Sequence, residues 1–283
     1  MPLRCTRPSF AGLILLLALW LSASPVAGQP LREGPASAAL GGAATALSGD
    51  VWGVANPAAW AGLAGVHAAV VASEGYGLSA LRSGGSVFAM PVGLAHVTAS
   101  GATFGDKVYR ETAWSLGVAR PLFPGTRRAV DVGARLTLYH LGIDGYGAAR
   151  AIGLAIGWQA DIGPALRLGA AAENLNGPSW IRGEPLPRRL SAGIAYTPRD
   201  GPVRLLLAMK MTSRTASALH AGVAWRPLAA LELRGGAGGS PLRLSGGFAV
   251  RAPWICIEAA AEHHELLGWT PSLAIHLTRR GAK

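Results

Sequence analysis

His263-His264-Glu265 is the densest run of potential metal ligands in the chain. Zinc needs His, Cys or carboxylate donors converging on one point. Adjacent residues of a strand face opposite ways, so two neighbouring histidines on a strand cannot share an ion. A loop is the expected setting for this run, and no metal site is assigned. Ser213 or Ser217 with His220 has the types of a nucleophile and its base. Their spacing along one strand is weak support for such a pair. The chain has no G-x-S-x-G, no H-E-x-x-H and no phosphate-cradling Gly loop before a helix. It reads as a non-enzyme without a cofactor. What remains is a set of scattered charges: Asp131, Arg135, Asp161, Arg167, Glu173, Arg204, Lys210, Glu232, Arg234, Arg243, Glu258 and Glu262. All fall on faces otherwise made of small residues. In a low-dielectric wall such charges are costly alone, so they are expected to pair across neighbouring strands as ladders lining a lumen.

The elements that carry them alternate with period two. Val130, Val132, Ala134, Leu136 and Leu138 share one face; Asp131, Gly133, Arg135, Thr137 and Tyr139 share the other. Ile152, Leu154, Ile156 and Trp158 oppose Gly153, Gly157, Gln159 and Asp161 in the same way. About fourteen such segments, of a length that crosses a bilayer when tilted, run from Val66 to Thr278. They are expected near 66–74, 84–91, 92–100, 112–120, 129–141, 149–161, 165–173, 189–197, 203–211, 217–226, 229–237, 242–251, 253–262 and 268–278. Merging two of them across Pro91 would give about twelve. Turn residues separate them, as at Pro124-Gly125, Asp144-Gly145, Gly163-Pro164 and Asp200-Gly201-Pro202. Short links such as Arg226-Pro227-Leu228 alternate with longer ones such as Asn174 to Arg188, the pattern of short periplasmic turns and longer outer loops.

Alternation fits a soluble sandwich and a membrane barrel alike. Three features favour the barrel. The small-residue face is a poor solvated surface but suits a narrow, partly filled lumen. Trp114, Tyr139, Trp158, Tyr196, Trp225, Trp254 and Trp269 lie near segment ends, as an interfacial girdle requires. Strands continue to the C-terminus with no helix to cover an open edge, so closure satisfies the edge groups in lipid. The fold class is therefore all-β: a transmembrane antiparallel barrel over 66–278, followed by a basic tail, 279–283.

Residues 1–28 read as a secretory signal, with Arg4 and Arg7 before the apolar run Ala11 to Leu21 and small residues Val26-Ala27-Gly28 at the cleavage site. Its removal leaves Cys256 alone, so no intramolecular disulfide is expected. Hydrophobic residues make up 50% and charged residues 14%, against about 25% charged in ordinary soluble domains. A GC-rich genome gives a similar bias, so composition discriminates weakly. The formal charge of +11 is spread without a Lys/Arg stripe. It points to anionic headgroups or an anionic lumen ligand and away from nucleic acid.

Between signal and strands lies Ala36 to Leu63, Gly- and Ala-rich and nearly uncharged. A short helix is expected over Ala36 to Leu47, weakened by Gly41 and Gly42. Asp50 to Asn56 reads as a turn, and Pro57 opens a second short helix capped by Asn56. The run ALGGAATALSGDVWGVANPAAWAGL resembles the N-terminal signature of FadL-like and PorV/PorQ-like outer-membrane barrels. A second patch agrees: Glu173-Asn174-Leu175-Asn176-Gly177-Pro178, then Glu184-Pro185-Leu186-Pro187 and Arg189 to Tyr196, looks like a PorV-like segment. The resemblance implies that 29–65 form a plug inside the barrel, with Gly41, Gly42, Asp50, Asn56, Pro57 and Ala58 as its motif, and that loosening the Asn56 cap gates passage. It implies an outer-membrane location in a Gram-negative-type bacterium, contact with outer-membrane lipids, and a hydrophobic small molecule that the barrel moves or binds. The alternative it carries is a secretion accessory of the type IX pathway, with secretion components or cargo as partners. The last strand departs from the family by lacking a terminal aromatic residue.

Overall fold

The computed structural model describes residues 27–28, 33–123, 129–180, 185–199, 201–213 and 215–279. The expected signal lies outside the described residues apart from Ala27–Gly28, which pair with the end of a barrel strand. The basic tail lies outside them except for Arg279.

Among the described residues, fourteen long antiparallel strands form one sheet. They are β1 Val66–Glu74, β2 Arg82–Val92, β3 Ala95–Gly105, β4 Tyr109–Pro121, β5 Val130–Ile143, β6 Gly147–Asp161 and β7 Leu166–Glu173. The second half runs β8 Arg189–Tyr196, β9 Val203–Thr212, β10 Thr215–Leu228, β11 Leu231–Gly238, β12 Arg243–Arg251, β13 Ile255–His264 and β14 Gly268–Arg279. Each pairs with its sequence neighbour, and β14 pairs with β1 from Ser272↔Ser73 to Arg279↔Val66, which closes the sheet into a barrel. Closure leaves no free edge, the condition for β structure in lipid.

The alternation decides which side faces out. Leu136, Leu138, Ile152, Leu154, Ile156, Leu205, Leu207 and Met209 are exposed on the outside, while Asp131, Arg135, Thr137 and Gln159 of the alternate positions are buried inside. Greasy side chains outward and polar ones inward is the arrangement of a membrane barrel, the inverse of a soluble sandwich. Among the described residues no helix is long and apolar enough to cross a membrane. The chain spans with strands.

Several expectations need correcting. Pro91 does not merge two segments, because residues 93–94 form a turn between β2 and β3. Arg226-Pro227-Leu228 belong to β10, and the link is 229–230. Links at the end opposite Val66 and Arg279 (the far end) are mostly short, so short and long do not simply alternate; 174–188 is the long one. Tyr139 is no girdle residue: it faces the lumen at 2% exposed. Trp114 sits mid-strand in β4 rather than at an end. Trp158, Tyr196, Trp225 and Trp254 are exposed outward at the near end, where β1 begins and β14 ends.

The long link also mends the wall. β6 pairs with β7 only over Ile156–Asp161. Beyond that, Leu175 N–H donates to the Leu154 carbonyl at 3.0 Å, and the Asn176 amide bridges Leu154 N (2.9 Å) and Ile152 O (2.7 Å). A side-chain amide thus takes the place of the next ladder bonds.

Candidate functional site in the barrel lumen

Residues Glu33 to Leu63 run through the lumen. The short helix expected over Ala36 to Leu47 is shorter still: α1 covers Pro35–Ala39, followed by a 3-10 turn at Ala44–Ala46. Gly41 (φ 64°) and Gly42 (φ 83°) adopt left-handed backbone between them, which an L side chain resists and which ends the helix. A second 3-10 stretch covers Pro57–Gly62, and the Asn56 side chain accepts from Ala58 N at 3.0 Å.

Asn56 does more than cap. At 1% exposed, its amide nitrogen also lies within hydrogen-bond reach of the carbonyls of Thr45 (2.8 Å), Trp158 (3.0 Å) and Ala170 (3.3 Å). One side chain therefore ties two parts of the segment to β6 and β7. Pro57 and Ala58 are buried against the same wall. Wall glycines let the segment's backbone lie this close. A Cβ on Gly157 would stand 2.1 Å from Asn56 Oδ1, on Gly133 2.5 Å from the Pro57 carbonyl, and on Gly236 2.2 Å from the Leu40 carbonyl carbon. Beyond the motif, Ser245 receives the Gly41 N–H at 2.9 Å and donates to the Ala39 carbonyl at 3.1 Å. His220 Nδ1 lies 2.6 Å from the Gly41 carbonyl.

The charges on the small-residue face all turn into the lumen, and they form separate groups. At the near end, Arg167 holds both Asp161 (2.7 Å) and Asp131 (3.2 Å). Glu232 gathers Arg226 (2.6 Å), Arg234 (2.6 Å) and Arg251 (3.1 Å), and Arg234 continues to Glu258 at 2.9 Å. Further along, Arg135 bonds Glu173 at 3.1 Å and the Gly53 carbonyl at 3.0 Å, and Glu173 also holds Arg189 at 3.1 Å. Lys210 pairs with Glu33 of the segment. Although burial works against its ionised form, Lys210 holds the Glu33 carboxyl below the usual range. Arg243 reaches Glu262 at 3.5 Å. Arg204 donates to Thr197 Oγ1 at 3.2 Å. Asp50 accepts from Trp52 N at 3.2 Å.

Several participants were not singled out from the sequence. Gln159, fully buried, donates to the carbonyls of Thr45 (3.2 Å) and Leu47 (3.1 Å). Arg189, Arg226 and Arg251 complete ion pairs. Each stands on the small-residue face of its strand, so periodicity carried the signal.

The remaining candidates separate. Ser217 faces outward and His220 inward, while Ser213 lies in the turn beyond β9 and bonds Arg188 N at 3.2 Å; no nucleophile–base pair forms. His263 and His264 lie on β13 rather than in a loop. They point apart: His263 rests on Trp269 (ring centroids 4.6 Å) and His264 on Tyr76 (6.1 Å).

The segment does not fill the lumen evenly. A cavity of about 340 Å³ lies between it and the wall of β14, β1, β2 and β3, and reaches Arg189, Lys210 and Arg243 of β8, β9 and β12. Trp52, Gly42 and Ala38 of the segment bound it, with Ser83, Gly85 and Ser272 of the wall. A second cavity of about 310 Å³ lies between Val54, Ala55 and Pro57 and the wall of β6 to β10. The fold is that of the FadL-type barrels. TbuX, the toluene transporter of Ralstonia pickettii, superposes with a TM-score of 0.63 at 16% identity over 88% of this chain and 98% of that one. CymD, a monoaromatic hydrocarbon channel, gives 0.68 at 13% identity over 90% and 100%. A FadL homologue of Pseudomonas aeruginosa gives 0.58 at 11% identity over 90% and 99%. No family model and no curated protein matches the chain. The secretion-accessory alternative draws no support from these neighbours.

Proposed function

We propose that this FadL-type barrel sits in the outer membrane of a Gram-negative-type bacterium and moves or binds a small hydrophobic molecule, with 33–63 as a plug. One observation carries the reading: the segment is bolted to β4–β13 yet leaves cavities between itself and the wall, one of about 340 Å³ reaching β14–β3 and one of about 310 Å³ at β6–β10. A purely structural filler would gain by packing on every side, since empty space forfeits contacts. Proteins of similar fold include a toluene transporter and a monoaromatic hydrocarbon channel, which makes a small apolar cargo the natural starting point. Deleting residues 30–63 and measuring single-channel conductance tests the plug; a large rise is expected, and unchanged conductance refutes it. Retention of hydrophobic small molecules by the purified barrel tests the cargo, and a barrel that retains none and admits none contradicts it.

A further inference from the structure

The wall of β14, β1, β2 and β3 is layered. At the cavity stand Ser73, Ser83, Thr270 and Ser272, in a lining shared with Glu33, Lys210, Arg243 and Glu262. Ser73 and Ser272 give their hydrogens to the carbonyls of Pro271 (2.9 Å) and Ala260 (3.4 Å) and keep acceptor lone pairs. Thr270 takes the Tyr76 N–H at 3.3 Å and keeps its donor. Toward the near end the same strands turn apolar. Ala69, Val87, Ala89 and Ala274 pack with Val51 and Trp52 of the plug into a dry band. Below that band the wall turns polar again with His67, His96 and His276, all on lumen-facing positions of β1, β3 and β14.

The histidines are the unexplained part. His96 has both ring nitrogens buried without a hydrogen bond, and so does Nε2 of His67 and of His276. His276 Nε2 stands 3.3 Å from Glu258 without the alignment of a bond. A neutral imidazole carries one donor and one acceptor, so His96 holds both unspent. Leucine or phenylalanine would fill these positions without that cost. Trp52 touches His276 edge-on at 5.8 Å, and it also bounds the cavity. It therefore stands between the two polar layers.

We propose that the cargo is a small amphiphile with a hydrogen-bonding head, of the class of aromatic alcohols, and that its head moves from the hydroxyl layer past Trp52 to the histidine layer. This rests on the reading that a hydrophobic molecule passes through the lumen. A bare hydrocarbon would strip water from the hydroxyls and imidazoles and return no hydrogen bond. A site with buried polar groups discriminates strongly against an analogue that lacks the matching group.

Benzyl alcohol and toluene share a ring and differ by one hydroxyl. Their binding to the full barrel in nanodiscs is measured by calorimetry, with empty nanodiscs subtracted. Benzyl alcohol is expected to bind about tenfold more tightly. In the double variant Ser83→Ala, His96→Phe, the preference falls below about threefold while toluene binding is unchanged. Heat-modifiable gel mobility confirms that the variant barrel is folded. Equal or tighter binding of toluene overturns the inference and leaves the proposed function standing. A preference that survives in the double variant overturns the assignment of layers. Binding of neither compound overturns both.

Discussion

The two sides of the lumen are built from the same small residues to opposite ends. Along β5 to β12, glycines such as Gly133, Gly157 and Gly236 are places where the N-terminal segment's own backbone lies against the wall. Along β1 and β2, Gly85 meets only neighbouring wall atoms, at 3.3 Å or more, and faces the cavity. Ion pairs differ between positions bonded to the segment and positions at the cavity, Arg243 of β12 among the latter. Arg135 is 2% exposed and bonded to both the segment and Glu173, whereas Arg243 is half exposed and reaches Glu262 at 3.5 Å. Glycine in a barrel wall is thus not one signal. It marks docking where something fills the space, and clearance where nothing does.

The sharpest way to break this contrast is at the two arginines. Arg135→Met leaves Glu173 buried with only Arg189, and should cost about 3–5 kcal/mol. Arg243→Met removes a half-exposed pair worth about 0–1 kcal/mol. Urea unfolding of the refolded barrel reads the difference; equal losses would mean that the two sides are alike. Glycines come next. Gly236→Leu should undock the segment at about 1–3 kcal/mol and raise conductance. Gly85→Val should narrow the cavity and lower conductance while the segment stays in place. Protease cutting within 33–63 distinguishes the two, since only the first variant should become cleavable.

Asn56 sharpens the docked side further. Asn56→Ala should cost about 1–3 kcal/mol through the carbonyls it leaves unpaired. Asn56→Asp should cost more, because a carboxylate would face the oxygens of Thr45, Trp158 and Ala170. An Asp variant as stable as wild type would sink the bonding scheme. The smallest effect is expected from pH. Burial first, then the Glu258 carboxylate, push the Asp50 carboxyl up to about 7, against the pull of the Trp52 N–H. A free carboxyl titrates near ~4. The docked segment therefore holds an extra proton between these values. The docking contribution is complete below about pH 4 and is lost as pH rises through about 7. The protection factors of amides in 33–63, taken against the base-catalysed intrinsic rate at each pH, should be lower at pH 8 than at pH 5, and Asp50→Asn should level the two. Higher protection at pH 8 would contradict the assignment.

Much of this molecule was written in period two. β1 runs Val66–Glu74, the span that alternation predicts, and β5, β6 and β12 differ from expectation by one or two residues at an end. That is because a lipid-facing side chain and a lumen-facing one obey opposite rules at every step. The charges of the lumen face were legible for the same reason. Their grouping was not. Glu173 bonds Arg135, four residues after Asp131 on β5, and not Arg167 of its own strand, because strand tilt and plug position choose partners that spacing along the chain does not encode. Tyr139 was misread for a related reason. An aromatic residue near a strand end belongs to a girdle only on the outward parity, and its own alternation already placed it inside. The wall of β1 to β3 was the least legible part: Ser73 and Ser83 sit on weakly patterned strands, and only the position of the N-terminal segment gives them a common cavity.

The most direct test of the unevenly filled lumen uses thiol labelling in a Cys256→Ser background. Ser83→Cys faces the cavity and Ala208→Cys lies under the segment in the cluster with Leu40 and Ala44. A bulky methanethiosulfonate reagent should react at residue 83 and block conductance, and should leave residue 208 untouched until residues 30–63 are deleted. Reaction at 208 in the intact barrel, with 83 silent, would put the open path elsewhere and contradict the account.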